Sequence, residues 1–537
     1  MGKQLFKSLI ILGIFFAFGF TQAQKTITGT VSDADGPLPG AAVIVQGTDN
    51  GVTTDFDGNY SIEANEGDVL EFSFIGMTTA TATVGADSVI NITLATSENR
   101  LEEVVVVGYS AQTRGDITGS VASVDMEEAL KQPVANAAEV LQGRVSGVNV
   151  ISNGAPGAAP QITIRGLGTS NNTNPLYIID GVQTDDPNIL NSIDPSDIVQ
   201  MNVLKDGAAA IYGARASNGV IIVKTKSGGY SSKATLSVDA WTGMSQVANK
   251  LDLMGTNEHG QMIFDSRRND GSPVEHPQYG SGATPVTPTQ LLNVREPATV
   301  VQPNGTDWQD AITQTAPTSS VTVSASNGNE NGQYFMSVGY FQRDGVLKYT
   351  GFERVTTRLN SEFKVIDGRV RVGEHLNVAW SNGNGGNGEA YENSFRSSPL
   401  VPTVDDNGLF AGTYNAAAGL SNTRNPLAQL SRGQDDFNKS LRVFGDIYIE
   451  IDIWDKLKFR STYGVSLNNF DRRTFTALDP EFSEPLSVNT LNIEDQYSSE
   501  WNWSNVLSYD NSFGDHNVSA ILGVEAVKGQ GQGKGVT

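Results

Sequence analysis

From about residue 231 the chain alternates apolar and polar side chains with a period of two, the signature of amphipathic β-strands. In Leu441 to Ile453, Leu441, Val443, Ile447, Ile449, Ile451 and Ile453 share one face, and Arg442, Asp446, Glu450 and Asp452 the other. Val355, Leu359 and Phe363 oppose Arg354, Arg358 and Glu362, and Leu457, Phe459, Tyr463, Val465 and Leu467 alternate with Lys458, Arg460 and Asn468. About ten such strands can be picked out by alternation. The period fits a membrane barrel, with apolar residues to lipid and polar ones to the lumen, and equally a soluble antiparallel sandwich. Long polar stretches, 255–307 and 382–434, interrupt the pattern and predict loops that bind something.

Upstream the pattern differs. Runs at 26–31, 42–45, 69–74 and 89–94, separated by turn signals, predict a small β-sandwich. Asp55-Phe56-Asp57-Gly58 reads as a capped turn, with too few carboxylates for a Ca²⁺ loop. Residues 112–230 mix a helix over 135–143, strands at 148–150, 162–164, 176–179, 198–205 and 220–225, and a short helix from Asp206 closed by Gly213. Between these regions lies Glu102-Glu103-Val104-Val105-Val106-Val107-Gly108-Tyr109, in which four β-branched residues make a stiff strand in a linker. It suits strand addition to a partner's sheet edge, or an ordinary buried strand.

The N-terminus has Lys3 and Lys7, an apolar run over 9–20 and a small residue at Ala23, which predicts a signal peptide cleaved after Ala23. Export without a spanning helix leaves a soluble exported protein or a β-barrel. With 59 acidic against 36 basic residues the net charge is −23, which argues against nucleic acid. The absence of cysteine excludes disulfides and thiol chemistry. His259, His276, His375 and His516 are far apart in sequence with no zinc-ligand spacing, and no nucleophile elbow occurs, so no catalytic set, metal site or cofactor is expected. The triplet Arg114-Gly115-Asp116 is short enough to arise by chance and gives an adhesin reading little support.

Several short stretches, in order, then become specific: residues 141–148 (Leu-Gln-Gly-Arg-Val-Ser-Gly-Val), Ile164-Arg165-Gly166, Tyr177-Ile178-Ile179-Asp180-Gly181, Val203-Leu204-Lys205-Asp206-Gly207 and Tyr212-Gly213-Ala214-Arg215 with Ala216 to Gly219. This series resembles the plug domain of SusC/RagA-type TonB-dependent outer-membrane transporters. The sandwich resembles the carboxypeptidase-regulatory-like domain found in that family.

The resemblance implies a mainly β protein: signal peptide 1–23, sandwich 24–96, linker 97–111, α/β plug 112–230 and, over 231–537, the first part of a transmembrane antiparallel β-barrel. It places Glu102 to Tyr109 at the TonB box. It makes Arg165, Gly166, Asp180, Gly181, Lys205, Asp206, Tyr212, Gly213 and Arg215 plug-motif residues. The implied partners are the TonB C-terminal domain of the TonB–ExbB–ExbD system, a SusD-like lipoprotein, outer-membrane lipid, and an oligosaccharide or peptide cargo. A siderophore receptor is the nearest alternative within that architecture. About 22 strands are typical of the family, so 231–537 is expected to be an incomplete barrel within a longer protein. Arg165 and Arg215 are expected to pair with strand carboxylates such as Glu362 or Glu450. Tyr340, Trp380, Trp454, Trp501, Trp503 and Tyr509 are expected in interfacial girdles.

Overall fold

The computed structural model describes residues 25–537 apart from 34–35, 49, 75–76, 96–103, 108–109, 114–118, 170, 293, 295–298, 415 and 515. The expected signal peptide, the Arg-Gly-Asp triplet, and Glu102, Glu103, Gly108 and Tyr109 therefore lie outside the described residues. The chain divides into two compact units, one holding the sandwich and the other the plug and the long strands.

In the first unit, β1 (Lys25–Ser32), β2 (Ala42–Val45), β3 (Gly51–Thr53), β4 (Asn59–Ala64), β5 (Val69–Ser73), β6 (Ala80–Thr83) and β7 (Ile92–Thr93) form two sheets, ordered β4-β1-β7 and β3-β2-β5-β6. Ile27, Val31, Val43, Ile62, Leu70 and Phe72 fill the space between them. The Tyr60 ring meets Phe72 edge-on at 5.4 Å, and its hydroxyl donates to the Ile90 carbonyl at 2.9 Å. Asp55 Oδ1 accepts from the Asp57 and Asn59 amides at 3.0 and 2.8 Å, so the acidic motif caps its own turn. Residues 89–91, expected as strand, lie outside β7.

β8 (Val104–Val107) pairs with β9 (Ser110–Thr113) in a two-stranded ribbon. The valine run, expected as a stiff strand in a linker, thus has a partner strand from its own chain.

The plug is a five-stranded sheet, ordered β10-β15-β16-β13-β14, with a separate β11–β12 ribbon. Its strands are β10 (Ser120–Val124), β11 (Val148–Ile151), β12 (Gln161–Ile164), β13 (Leu176–Ile179), β14 (Val182–Thr184), β15 (Ile198–Lys205) and β16 (Val220–Thr225). All four residues of β13 are buried, which is why it reads as an unbroken apolar run: both its faces are covered. The expected helix over 135–143 is a shorter 3₁₀ turn, Ala137–Leu141, capped by Asn136 Oδ1 on the Ala138 amide. Gly213 (φ 72°) kinks the 3₁₀ segment Asp206–Ala216 rather than ending it.

The remaining strands form one antiparallel meander of nine, not about ten, among the described residues. After β17 (Thr235–Ser245) the chain makes a helix, Thr256–Asn269, and a two-stranded ribbon of β18 (Glu275–His276) and β19 (Gly280–Ser281). Then follow β20 (Ala316–Gly328), β21 (Gly332–Asp344), β22 (Gly351–Val365), β23 (Val370–Asn384), β24 (Phe437–Trp454), β25 (Leu457–Thr476), β26 (Thr490–Phe513) and β27 (His516–Val536). The connections after β20, β22, β24 and β26 are short and share one end of the sheet, and the long connections share the other. This asymmetry is typical of outer-membrane barrels.

The two long polar stretches are not structureless. Phe264, Tyr279, Leu291, Trp308, Leu400 and Val401 pack into one core from both stretches, and Trp308 Nε1 donates to the Ser398 carbonyl at 3.1 Å. A second, smaller cluster joins Ile312, Ala390 and Leu430, again from segments distant in sequence. His259 and His276, distant in sequence, flank Tyr279: His259 Nδ1 lies 3.0 Å from the Tyr279 hydroxyl, and the His276 ring stands 5.3 Å from the tyrosine ring. Burial lowers the pKa of both imidazoles.

Candidate functional site

The sheet is inverted relative to a soluble sandwich. On β22, Arg354, Thr356, Arg358 and Asn360 are buried, whereas Leu359 and Phe363 are exposed. On β24, Arg442 and Asp446 are buried and Leu441, Ile447 and Ile449 are exposed. A water-soluble sheet would bury the apolar face, because burial is what drives folding in water. The sheet thus presents its apolar face outward and closes its polar face against the plug. That orientation separates the two readings that alternation left open.

Outward residues align across the strands as Val321, Tyr340, Val355, Trp380 and Leu441 near the long-loop end. Trp454 sits at the short-turn end, whereas Trp501 and Trp503 lie within β26, away from its ends. Only part of the expected girdle therefore occupies strand ends.

The plug meets the polar face through a charged network. Asp180 and Gly181 form the two-residue hairpin between β13 and β14, with φ of 50° and 95°, the conformation in which Asp-Gly is favoured. The hairpin aims the Asp180 carboxylate at β16 and at the wall. It accepts from the Thr225 amide at 2.9 Å, the Thr225 hydroxyl at 2.7 Å and Arg358 Nη1 at 3.3 Å. Arg358, 2% exposed in its side chain, also stands 3.7 Å from Asp197, which accepts from the Ser337 hydroxyl at 2.6 Å. Asp194 takes the Thr322 hydroxyl at 2.7 Å, and Arg442 pairs with Asp186. Asn377 and Asn360 donate to the Ser192 and Lys226 carbonyls at 2.9 and 2.6 Å. Among the described residues, Phe444 is the residue of the nine-stranded sheet that joins the buried apolar core of the plug.

The other motif residues hold the plug itself. Arg165 (φ 56°) pairs with Asp206 (φ 52°) at 2.6 Å, and Lys205 Nζ donates to the Ser146 carbonyl. Burial, with Arg165 nearby, lowers the Lys205 pKa. Gly166, Asp206, Gly213 and Arg165 line a cavity of about 470 Å³ on the plug surface. Tyr212 packs beside the smaller plug cluster of Leu176, Leu204 and Val220. The expected pairings need correction. Arg165 stays within the plug. Arg215 does reach a strand carboxylate, but it is Glu500 at 3.7 Å. Glu362 takes the Tyr230 and Tyr448 hydroxyls, and Glu450 takes Arg371 and Arg460. Sequence reasoning placed Arg354 and Arg358 on the polar face but missed their role, and it missed Asp186, Asp194 and Asp197. The one available signal was cationic residues two turns of alternation apart on a face otherwise filled with hydroxyls and amides.

Burial pushes the Asp197 carboxyl up to about 6, with Asp194 adding to it and Arg358, Ser337 and Lys226 opposing. Its folded value exceeds its unfolded one, so its contribution is present below about pH 4 and is lost as pH rises through 6. Asp197→Asn should remove on the order of 3 kcal/mol of this pH dependence. The check is the thermal midpoint of wild type minus variant at pH 5 and at pH 7.5; an unchanged difference would refute it.

An outward-apolar antiparallel sheet whose polar face is filled by an α/β domain defines a plugged β-barrel membrane protein. Among the described residues, no helix is long and apolar enough to cross a membrane. Family models match in the same order: "CarboxypepD_reg-like domain" over residues 27–106 and "TonB-dependent Receptor Plug Domain" over residues 113–220. TonB-dependent receptor P26 of Formosa agariphila is 33% identical over 525 residues, covering 96% of this chain and 50% of that protein. TonB-dependent receptor SusC of Bacteroides thetaiotaomicron is 33% identical over 471 residues, covering 82% and 44%. The RagAB peptide importer in its open-open state is a structural neighbour with a TM-score of 0.66 and 27% identity, covering 81% of this chain and 50% of that one. The chain belongs to the TonB-dependent receptors of the SusC/RagA type, which are β-barrel proteins of the outer membrane. It spans about half the length of the curated relatives it matches.

Proposed function

We propose that the protein imports nutrients across the outer membrane, with energy delivered mechanically through the plug by a TonB-type partner. Oligosaccharides are the favoured cargo and peptides the second class, since one structural neighbour is a peptide importer. A SusD-like lipoprotein on the long-loop side is the proposed companion. The observation that carries the reading is the character of the plug boundary: charged and amide contacts to the strands, with Phe444, among the described residues, the residue of the nine-stranded sheet that joins the plug's buried apolar core. Such contacts hold a closed plug in place yet can be exchanged for water when the plug is pulled, whereas a large apolar interface would resist every step of displacement. The TonB box is proposed at Glu102 to Tyr109, where main-chain pairing to an added strand would transmit the pull. Domain limits at 24–96, 112–230 and 231–537 are part of the same proposal.

The test uses the full-length gene product in its own cells. Expected are fractionation with the outer membrane and uptake of a labelled oligosaccharide that stops when the proton gradient is collapsed. Protein found free in the periplasm, or uptake indifferent to the gradient, would defeat the reading.

A further inference from the structure

A second cavity, about 290 Å³, lies between the plug segments 155–158 and 188–192 and the inner face of β22 to β25. Arg354, Asn191, Phe352, Ser381 and Phe470 are among its lining residues. Arg354 is 3% exposed and, among the described residues, is in no ion pair; Asp194 and Asp197 attract it from beyond that range. Its Nη1 donates to the Asn191 carbonyl at 2.8 Å and its guanidinium lies 5.3 Å from the Phe341 ring, but its Nε has no partner. Asn191 Oδ1, on the opposite side of the boundary, is buried without a donor. Buried charges in proteins are ordinarily paired, and an unmet guanidinium donor beside an unmet amide acceptor is costly. Arg358, two rows away on the same face, has a carboxylate at 3.3 Å and another at 3.7 Å; Arg354 has none that close among the described residues.

We propose that Arg354 and its cavity form an anion subsite for a carboxylate carried by the cargo. A guanidinium edge matches a carboxylate in geometry and charge, which favours a carboxylate over a neutral acceptor. A carboxylate in the cavity would give the guanidinium the close counter-ion it lacks among the described residues. Phe352 and Phe470 offer apolar surface to the ligand's carbon skeleton. The inference rests on the import reading and refines its cargo. Acidic sugars and acidic peptides both carry the required group.

The experiment measures binding to the purified full-length protein in detergent. Probes are tri-galacturonate and its carboxyl-reduced neutral counterpart, and N-acetyl-triglutamate amide and N-acetyl-triglutamine amide, whose backbone ends carry no charge. The expected result is at least tenfold tighter binding of one acidic probe than of its neutral partner. Arg354→Gln should erase that preference and Arg354→Lys should restore part of it. Ser381 is opposite Arg354 in the β22–β23 register, so Ser381→Asp supplies the missing counter-ion in place. It should abolish the preference in a protein that keeps a buried ion pair, which covers the case in which Arg354→Gln fails to fold. The probe pair that shows the preference identifies the source as sugar or peptide. Equal binding of acid and neutral forms in both pairs, or a preference that survives Ser381→Asp, overturns the subsite. Gradient-dependent uptake alongside equal binding would leave import standing and remove only this refinement.

Discussion

Arg358→Met is expected to weaken the seating of the plug by about 3–5 kcal/mol, the range seen when one partner of a buried ion pair is removed. Methionine keeps most of the volume but leaves Asp180 and Asp197 facing each other's field without the cation between them. It also strips Thr225 and Asn377 of a hydrogen-bond partner. The amides of β16, which lies between β13 and β15 in the plug sheet, should exchange with deuterium faster by two or more orders of magnitude. Cells carrying the variant should become permeable to large antibiotics that the closed plug excludes. The triple variant Arg358→Met, Asp180→Asn, Asp197→Asn tests the cause, because it removes all three charges together. It should recover a large part of the protection, since replacing a whole buried ionic cluster by neutral groups is far milder than breaking one. Exchange rates in Arg358→Met equal to wild type would show that the network does not hold the plug.

The second large effect is expected at the proposed TonB box. Alternate amides along a strand face opposite edges, so Val105→Pro and Val106→Pro remove donors from opposite sides of β8. One edge is engaged with β9; the other is the edge open to a partner. Each lost main-chain bond, with its acceptor left unmet, costs about 1–3 kcal/mol, or roughly 10–100-fold in affinity. The variant facing the partner should lose binding to a TonB C-terminal domain by that factor, and gradient-dependent uptake with it. The variant facing β9 should act indirectly by opening the ribbon. Binding and uptake unchanged in both would remove Glu102 to Tyr109 from the coupling role.

Much of the local structure was legible. The strands of β2, β13 and β16 fall within a residue of the apolar runs that predict them, because a short run bounded by turn residues has few other ways to pair its backbone. Asp180-Gly181 carries a local signal of the same kind for its turn: both positions have positive φ, which few residues other than Asp, Asn and Gly adopt readily. The long stretches at 255–307 and 382–434 gave no sign of a shared core because each carries too few apolar residues to suggest one alone. Trp308, Leu400 and Val401 find one another only when the strands between them have brought the connections together. The approach of His259 to His276 through Tyr279 was hidden for that reason as well.

The sequence alone determined the alternation, the turns, the order of the plug motifs and the split between a small sandwich, a plug and long strands. It could not determine which face of the strands looks outward, because a period of two is the same seen from either side. Tertiary structure decided that, by setting the α/β domain against the polar face and leaving the apolar face to the surroundings. It also chose the ion pairs. Asp180 and Arg358 stand 178 positions apart, and a contact of that span depends on where the folded sheet curves and on what fills it, not on spacing along the chain.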